Sequence, residues 1–263
     1  MVDSVGLLNT ILLAVCLSVA RVLAFLLICP FFSFRHIKKR LQVAVALSLC
    51  MLIVPVMYEQ LASRTITVIQ MIPILFKEVV AGFMLGFITG FPYWLFQCVG
   101  SLLDSQSGVM MGGQLNPEID NDYSPFGFML KGLMRVMVII GPGLFSITQV
   151  LWHSYDLWPI LAWTPRFSAQ GFILFLTQIG HFFSYVILYA APILFVLILI
   201  DLVLGIANIT NQQLPATSLA IPFKCLAVAF LFLLSHASFT HLMNTRIDLF
   251  ADLADMMNLI LTK

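Results

Sequence analysis

Residues 68–103 read VIQMIPILFKEVVAGFMLGFITGFPYWLFQCVGSLL, a 36-residue run broken by only two formal charges, Lys77 and Glu78. A helix crosses a hydrocarbon core about 30 Å thick with roughly 20 apolar residues at 1.5 Å each. The run exceeds that length, so either one long tilted helix or a hairpin fits it. Gly82, Gly86 and Gly90 recur every four residues inside it. That spacing aligns them on one helix face and removes the bulk that keeps a second helix away. Pro92 then predicts a kink or an end to the helix.

The rest of the chain is of the same kind. Hydrophobic residues make up 61% of the 263 and charged residues only 10%, against roughly 25% charged in a soluble domain. The mean hydropathy is +1.03. Too little charge is present to coat a soluble fold of this size, and too much apolar surface for a disordered chain. Thirteen Lys+Arg against twelve Asp+Glu give a net charge of +1, which excludes a nucleic-acid binder built on a basic face. The composition predicts an all-α, multi-pass integral membrane protein, read as a single domain over residues 1–263.

Six apolar runs are candidate spans: residues 4–34, 41–58, 68–103, 126–155, 167–200 and 202–245. Asp3 stands where a signal peptide is basic, and the first run is too long for a signal core, so no cleavable signal is expected. The densest positive charge, Arg35, His36, Lys38, Lys39 and Arg40, is placed in the cytoplasm by the positive-inside rule, with the N-terminus outside. Five cysteines, Cys16, Cys29, Cys50, Cys98 and Cys225, are scattered through apolar stretches with no C-x-x-C pair. They predict neither a disulfide framework nor a metal site, only small apolar side chains in the core.

Two polar interruptions stand out. Residues 104–125 read DSQSGVMMGGQLNPEIDNDYSP, with glycine at 108, 112 and 113 and proline at 117 and 125. Continuous helix is not expected there. Broken polar backbone at membrane depth is tolerated only inside protein or beside a wet cavity, and an ordinary exposed loop is the alternative. Residues 208–215, NITNQQLP, are polar but uncharged.

Charges within apolar spans cost about 2.5–3.5 kcal/mol each on insertion scales. Lys77 and Glu78 can partly neutralise one another, whereas Arg21, Asp201 and Lys224 have no sequence neighbour of opposite sign. Lys131 and Arg135, four apart, share a helix face. Snorkelling to an interface is one reading. For Arg21 and Asp201, well inside their runs, contact with another subunit or a wet pore is preferred. At the C-terminus, residues 246–263 read as an amphipathic helix, with Asp248, Asp252 and Asp255 on one side and Phe250, Leu253, Ala254 and Met257 opposite. An acidic face disfavours anionic headgroups and predicts a protein partner or a cap on the bundle.

Enzyme signatures are missing. The chain has no H-E-x-x-H, no G-x-x-x-x-G-K phosphate loop and no G-x-S-x-G elbow. His236 and His241, five apart, are poorly spaced for one metal. No catalysis, metal or cofactor is expected.

Residues 77–108 resemble the core signature of the SpaR/YscT/HrcT/FliR family, membrane components of the type III secretion export apparatus and its flagellar counterpart. The matching positions are Lys77, Glu78, Gly82, Gly86, Pro92, Trp94, Gly100, Asp104, Gln106 and Gly108. Further along, Asn116-Pro117, Ser124-Pro125, His153-Ser154-Tyr155, Trp158-Pro159, Leu204-Gly205 and Pro222-Phe223-Lys224 sit where the family places them. The proline–aromatic–tryptophan element at 92–94 and His153-Ser154-Tyr155 resemble virulence injectisomes more than flagella. Ser107 and the Asn208 region depart from the family by lacking a cation.

The resemblance implies one copy of this chain joined to several copies of two smaller membrane subunits. Together they would form a helical export gate in the bacterial inner (cytoplasmic) membrane, its long hairpins wrapped around a pore for unfolded secreted proteins. Arg21, Lys77, Glu78, Asp104, Gln106, Lys131, Arg135, Asp201 and Lys224 would then be inter-subunit polar contacts. The loop at about 108–125, with Gly108, Met110, Met111, Gly112, Gly113, Asn116 and Pro117, would correspond to a pore plug. Asp248, Asp252 and Asp255 would meet the switch subunit. The competing reading is a secondary transporter of a small solute or ion, using Asp201, Glu78 or Arg21 at a midplane site. Transporters usually repeat in two halves, and no internal repeat is visible.

Overall fold

The computed structural model describes residues 2–30, 39–51, 53–62, 68–110, 124–162, 169–210 and 216–261. Every regular element among them is a helix: α1 (Val2–Ile28), α2 (Lys39–Met51), α3 (Val54–Ala62), α4 (Val68–Ser107), α5 (Pro125–Ile140), α6 (Gly143–Leu157), α7 (Ala169–Thr210) and α8 (Ala216–Leu261). The chain is a multi-pass helical membrane protein. In hydrocarbon a backbone must satisfy its own hydrogen bonds, and a helix does so within one segment.

Four helices are long and apolar enough to cross: Thr10–Ile28, Gln70–Ser107, Ile179–Ile209 and Leu219–Ile247. A fifth is reached if Pro125–Ile140 and Gly143–Asp156 count as one interrupted span. Six spans were expected. The run 41–58 fails because it divides into α2, of 13 residues, and α3, of 9, each too short to cross. Pro55 occupies the first turn of α3, where a missing N–H does no harm. The last two runs meet beyond α7, not at Asp201, which lies inside that helix. Nor does Pro92 end its helix: α4 continues past it to Ser107, and α7 and α8 likewise contain Pro192 and Pro222. The predicted break at Gly108 is present, its φ of 81° lying in the left-handed region that favours glycine.

The chain forms two compact units. The first comprises Met1–Phe91, Pro142–Leu174 and Leu249–Lys263. In it, α2 and α3 pack on α1, burying Cys50, Ile53, Met57 and Leu61 with Leu17, Phe25 and Leu26. The second comprises Pro92–Gly141 and Phe175–Asp248, with Phe96, Leu103, Leu130, Met134, Leu197 and Met243 buried. All five cysteines are free; Cys29 and Cys50 are buried as expected, whereas Cys16 and Cys98 are exposed.

Candidate functional site

The first unit is organised around buried charge. Arg21 of α1 and Glu78 of α4 are both 0% exposed. The guanidinium grips the carboxylate with two bonds, Nε to Oε2 at 2.6 Å and Nη2 to Oε1 at 3.1 Å. Nη1 donates to the carbonyl of Ser154 at 2.9 Å and to its hydroxyl at 3.2 Å, and Nη2 also donates to the Trp158 carbonyl at 2.9 Å. A guanidinium has five N–H donors; here five acceptors take them. Tyr155 lies under the guanidinium, 4.0 Å from carbon to ring centre, and donates its hydroxyl to the Ser18 carbonyl.

Lys77 completes the cluster. Its ammonium donates to the carbonyls of Pro159, Ile160 and Ala162 at 3.0, 2.7 and 3.1 Å and stands 3.0 Å from Glu78 Oε1. The local sum is two cations against one carboxylate. Those carbonyls belong to the turn that follows the C-terminal end of α6, where the helix dipole is negative. The carboxylate offsets one cation, and the partial negative charge of that helix end offsets the other. Trp158 ties the same turn, donating from Nε1 to the Ala162 carbonyl.

The glycine seam explains how Arg21 and Glu78 come within reach. A Cβ on Gly82 would stand 2.2 Å from the Arg21 carbonyl oxygen, and one on Gly86 would stand 2.8 Å from that of Phe25. The two helices therefore touch backbone to backbone at these positions. Gly90 is buried on the same helix.

A second cluster lies in the other unit. Asp104, 0% exposed near the end of α4, turns Oδ2 onto the start of α5. That oxygen accepts from the Ser124 hydroxyl and from the backbone N–H groups of Phe126 at 2.8 Å and Gly127 at 3.2 Å. Ser124 is the N-cap of α5, and its hydroxyl also accepts from Gly127 N–H. A carboxylate here offsets the positive end of the helix dipole. Lys224 of α8 pairs with Asp201 of α7 and donates to the Gln106 carbonyl at 3.1 Å, near the C-terminal end of α4. Gly100 meets Gly127 so closely that a Cβ would sit 2.5 Å from the latter's N and Cα.

Most of the charges singled out in the sequence thus have partners within the chain. Arg21, expected to face another subunit or a wet pore, is enclosed with Glu78 and Lys77. Asp201 and Lys224 are each other's partner. Arg135 donates to the Tyr93 hydroxyl at 2.8 Å, and Lys131 lies over the Phe128 ring. The side chains of Gln106 and Asp201 remain exposed. Of the loop residues, Gly108 and Met110 are described; Met111, Gly112, Gly113, Asn116 and Pro117 lie outside the described residues. Helix α8 continues to Leu261, so residues 246–261 extend a long helix instead of forming a separate one. The side chains of Asp248, Asp252 and Asp255 lie outside the described residues.

Sequence reasoning missed one cluster. Arg246 donates to the Tyr189 hydroxyl from Nε at 2.9 Å and from Nη2 at 2.6 Å, and lies 3.8 Å over the Tyr185 ring. The four-residue spacing of Tyr185 and Tyr189, which stacks them on one helix face, was the available signal.

Yop proteins translocation protein T of Yersinia pestis is 31% identical over 169 residues, covering 62% of this chain and 64% of that protein. Secretion system apparatus protein SsaT of Salmonella typhimurium is 29% identical over 192 residues, covering 73% and 74%. Flagellar biosynthetic protein FliR of Bacillus subtilis is more distant, 24% over 160 residues, 60% of this chain and 61% of that one. The family described as Bacterial export proteins, family 1, matches residues 12–250. That span includes Arg21, the Lys77–Glu78 pair, the glycine seam, Asp104 and the carbonyl turn after α6, and the chain belongs to that family.

Proposed function

We propose that this chain is an inner-membrane component of the type III protein export apparatus, of the injectisome kind. It forms part of the gate through which unfolded proteins leave the cytoplasm. The observation that carries the reading is the family match over residues 12–250, whose related proteins include a Yop translocation protein and a secretion system apparatus protein. One copy joins several copies of two smaller membrane subunits, and lipid surrounds the assembly. The export step needs no chemistry from this chain, and energy is supplied by another component.

The surface of α7 and α8 supports a role within an assembly. The apolar spans at Ile179–Ile209 and Leu219–Ile247 are far less buried than those at Thr10–Ile28 and Gln70–Ser107. Exposed Gln106 and Asp201 are the polar positions best placed to meet neighbouring subunits, while Arg21, Lys77 and Glu78 hold the subunit's own fold. A solute transporter is disfavoured by the same cluster. Arg21 has spent all five donors on this chain, which leaves it none for a substrate.

The loop at about 108–125 acts as the pore plug in this reading. A pore wide enough for an unfolded chain must not leak ions while idle, because the membrane potential drives them continuously. Met110 and Met111 exclude water with an adaptable apolar fit, and Gly108, Gly112 and Gly113 give the segment room to rearrange. Asn116 and Asp120 anchor the loop base by turn hydrogen bonds. Deleting residues 110–113 in cells carrying the assembled apparatus is expected to raise small-molecule uptake with no substrate in transit. An assembled deletion variant as tight as wild type refutes the plug role.

A further inference from the structure

The helix ends on either side of the polar segment 109–123 are held by opposite charges, and neither device is assigned by the family reading. On one side the Asp104 carboxylate reaches across twenty residues to the N-cap Ser124 and to the first N–H groups of α5. On the other, the Lys224 ammonium sits on the Gln106 carbonyl near the end of α4 and is itself fixed by Asp201. An anion at a helix N-terminus and a cation at a helix C-terminus each match the local dipole. Two further contacts show how tightly this stem is built. Gly100 and Gly127 approach with no room for a Cβ, and Gly108, where α4 stops, leaves only 3.2 Å between a Cβ and Ile221.

We propose that Asp104 is a positioning residue of the export gate, whose carboxylate locks the start of α5 to the end of α4 so that the joining segment leaves and returns at one fixed stem. The proposal rests on the plug reading for its functional consequence and on described residues for its geometry. Asp104 suits the task because its charge is fully buried and is stabilised by the Ser124 hydroxyl and two helix N–H groups. Its other oxygen, Oδ1, is buried with no hydrogen-bond partner among the described residues, so the lock depends on Oδ2 alone. Asp104→Asn keeps the shape and removes the charge. Ser124→Ala removes both the hydroxyl given to Asp104 and the cap received by Gly127, whereas Ser124→Thr retains a hydroxyl.

The test uses the assembled apparatus carrying wild type, Asp104→Asn, Ser124→Ala, Ser124→Thr or the 110–113 deletion. Hydrogen exchange at the Phe126 and Gly127 amides is read beside idle small-molecule uptake. Loss of a charge-assisted bond of ordinary strength predicts roughly tenfold faster exchange in Asp104→Asn and Ser124→Ala, with uptake raised toward that of the deletion. Ser124→Thr is expected to behave as wild type, a rescue that loss of local packing alone does not predict. If the deletion leaks while both lock variants keep wild-type exchange and tightness, the lock is overturned and the plug stands. If the deletion does not leak, the plug falls and exchange alone decides, unchanged rates overturning the lock. Should Asp104→Asn fail to assemble, Ser124→Ala with its threonine control carries the same comparison.

Discussion

Removing the carboxylate at Glu78 leaves two cations, Arg21 and Lys77, buried together with only carbonyl and hydroxyl oxygens for partners. Breaking a buried pair from one side typically costs about 3–5 kcal/mol, and Glu78→Gln is expected to fall in that range. Arg21→Lys is milder but not conservative. Three flexible donors replace a fork of five, and a loss of about 2 kcal/mol follows from the charge-assisted bonds forgone. Thermal unfolding of the purified chain in mild detergent checks both; wild-type stability for Glu78→Gln contradicts the account of the cluster. The residues themselves were legible, since charge in an apolar run stands out. Their partners were not: Arg21 and Glu78 lie 57 positions apart, and Asp201 and Lys224 sit on different helices. Residue type and local spacing carry no information on such pairs. Only the fold supplies it.

Between helices, the glycine seam was readable because three small residues in one register mark a face whatever lies opposite. Its partner, α1, was not readable, because the backbone of Arg21 and Phe25 makes the contact and any residue has a backbone. Gly86→Leu is expected to lower recovery of the assembled complex far more than Phe87→Leu, since Phe87 is 37% exposed and its neighbour has no space for a Cβ. Equal recovery of the two variants removes the seam from the argument. Gly100 and Gly127 form a comparable close approach from two isolated glycines, and no periodicity announces them. Proline plays two different parts in this chain. Pro55 and Pro142 start short helices and divide apolar runs that looked continuous. Pro92, Pro192 and Pro222 lie inside helices that carry on. The physical difference is length: helices of 40, 42 and 46 residues can absorb one lost hydrogen bond, while α3 has only 9 residues.

For the whole molecule, composition pointed to a membrane protein, because so little charge leaves no other solvent, and the length of the apolar runs pointed to helices. The number of spans was less legible, since hydropathy cannot see where a run is divided. Contacts with other chains are tested directly. Replacing Asp248, Asp252 and Asp255 with Asn is expected to weaken site-directed crosslinking to the switch subunit while the core gate still assembles; undiminished crosslinking counts against that contact. In the proposed role this chain is one subunit of a multi-subunit export gate. That role is tested by the intact mass of what co-purifies with it from membranes expressing the neighbouring export subunits. A defined complex holding one copy of this chain and several copies of two smaller membrane proteins is predicted. A stable lone chain that moves a small solute across reconstituted vesicles contradicts it.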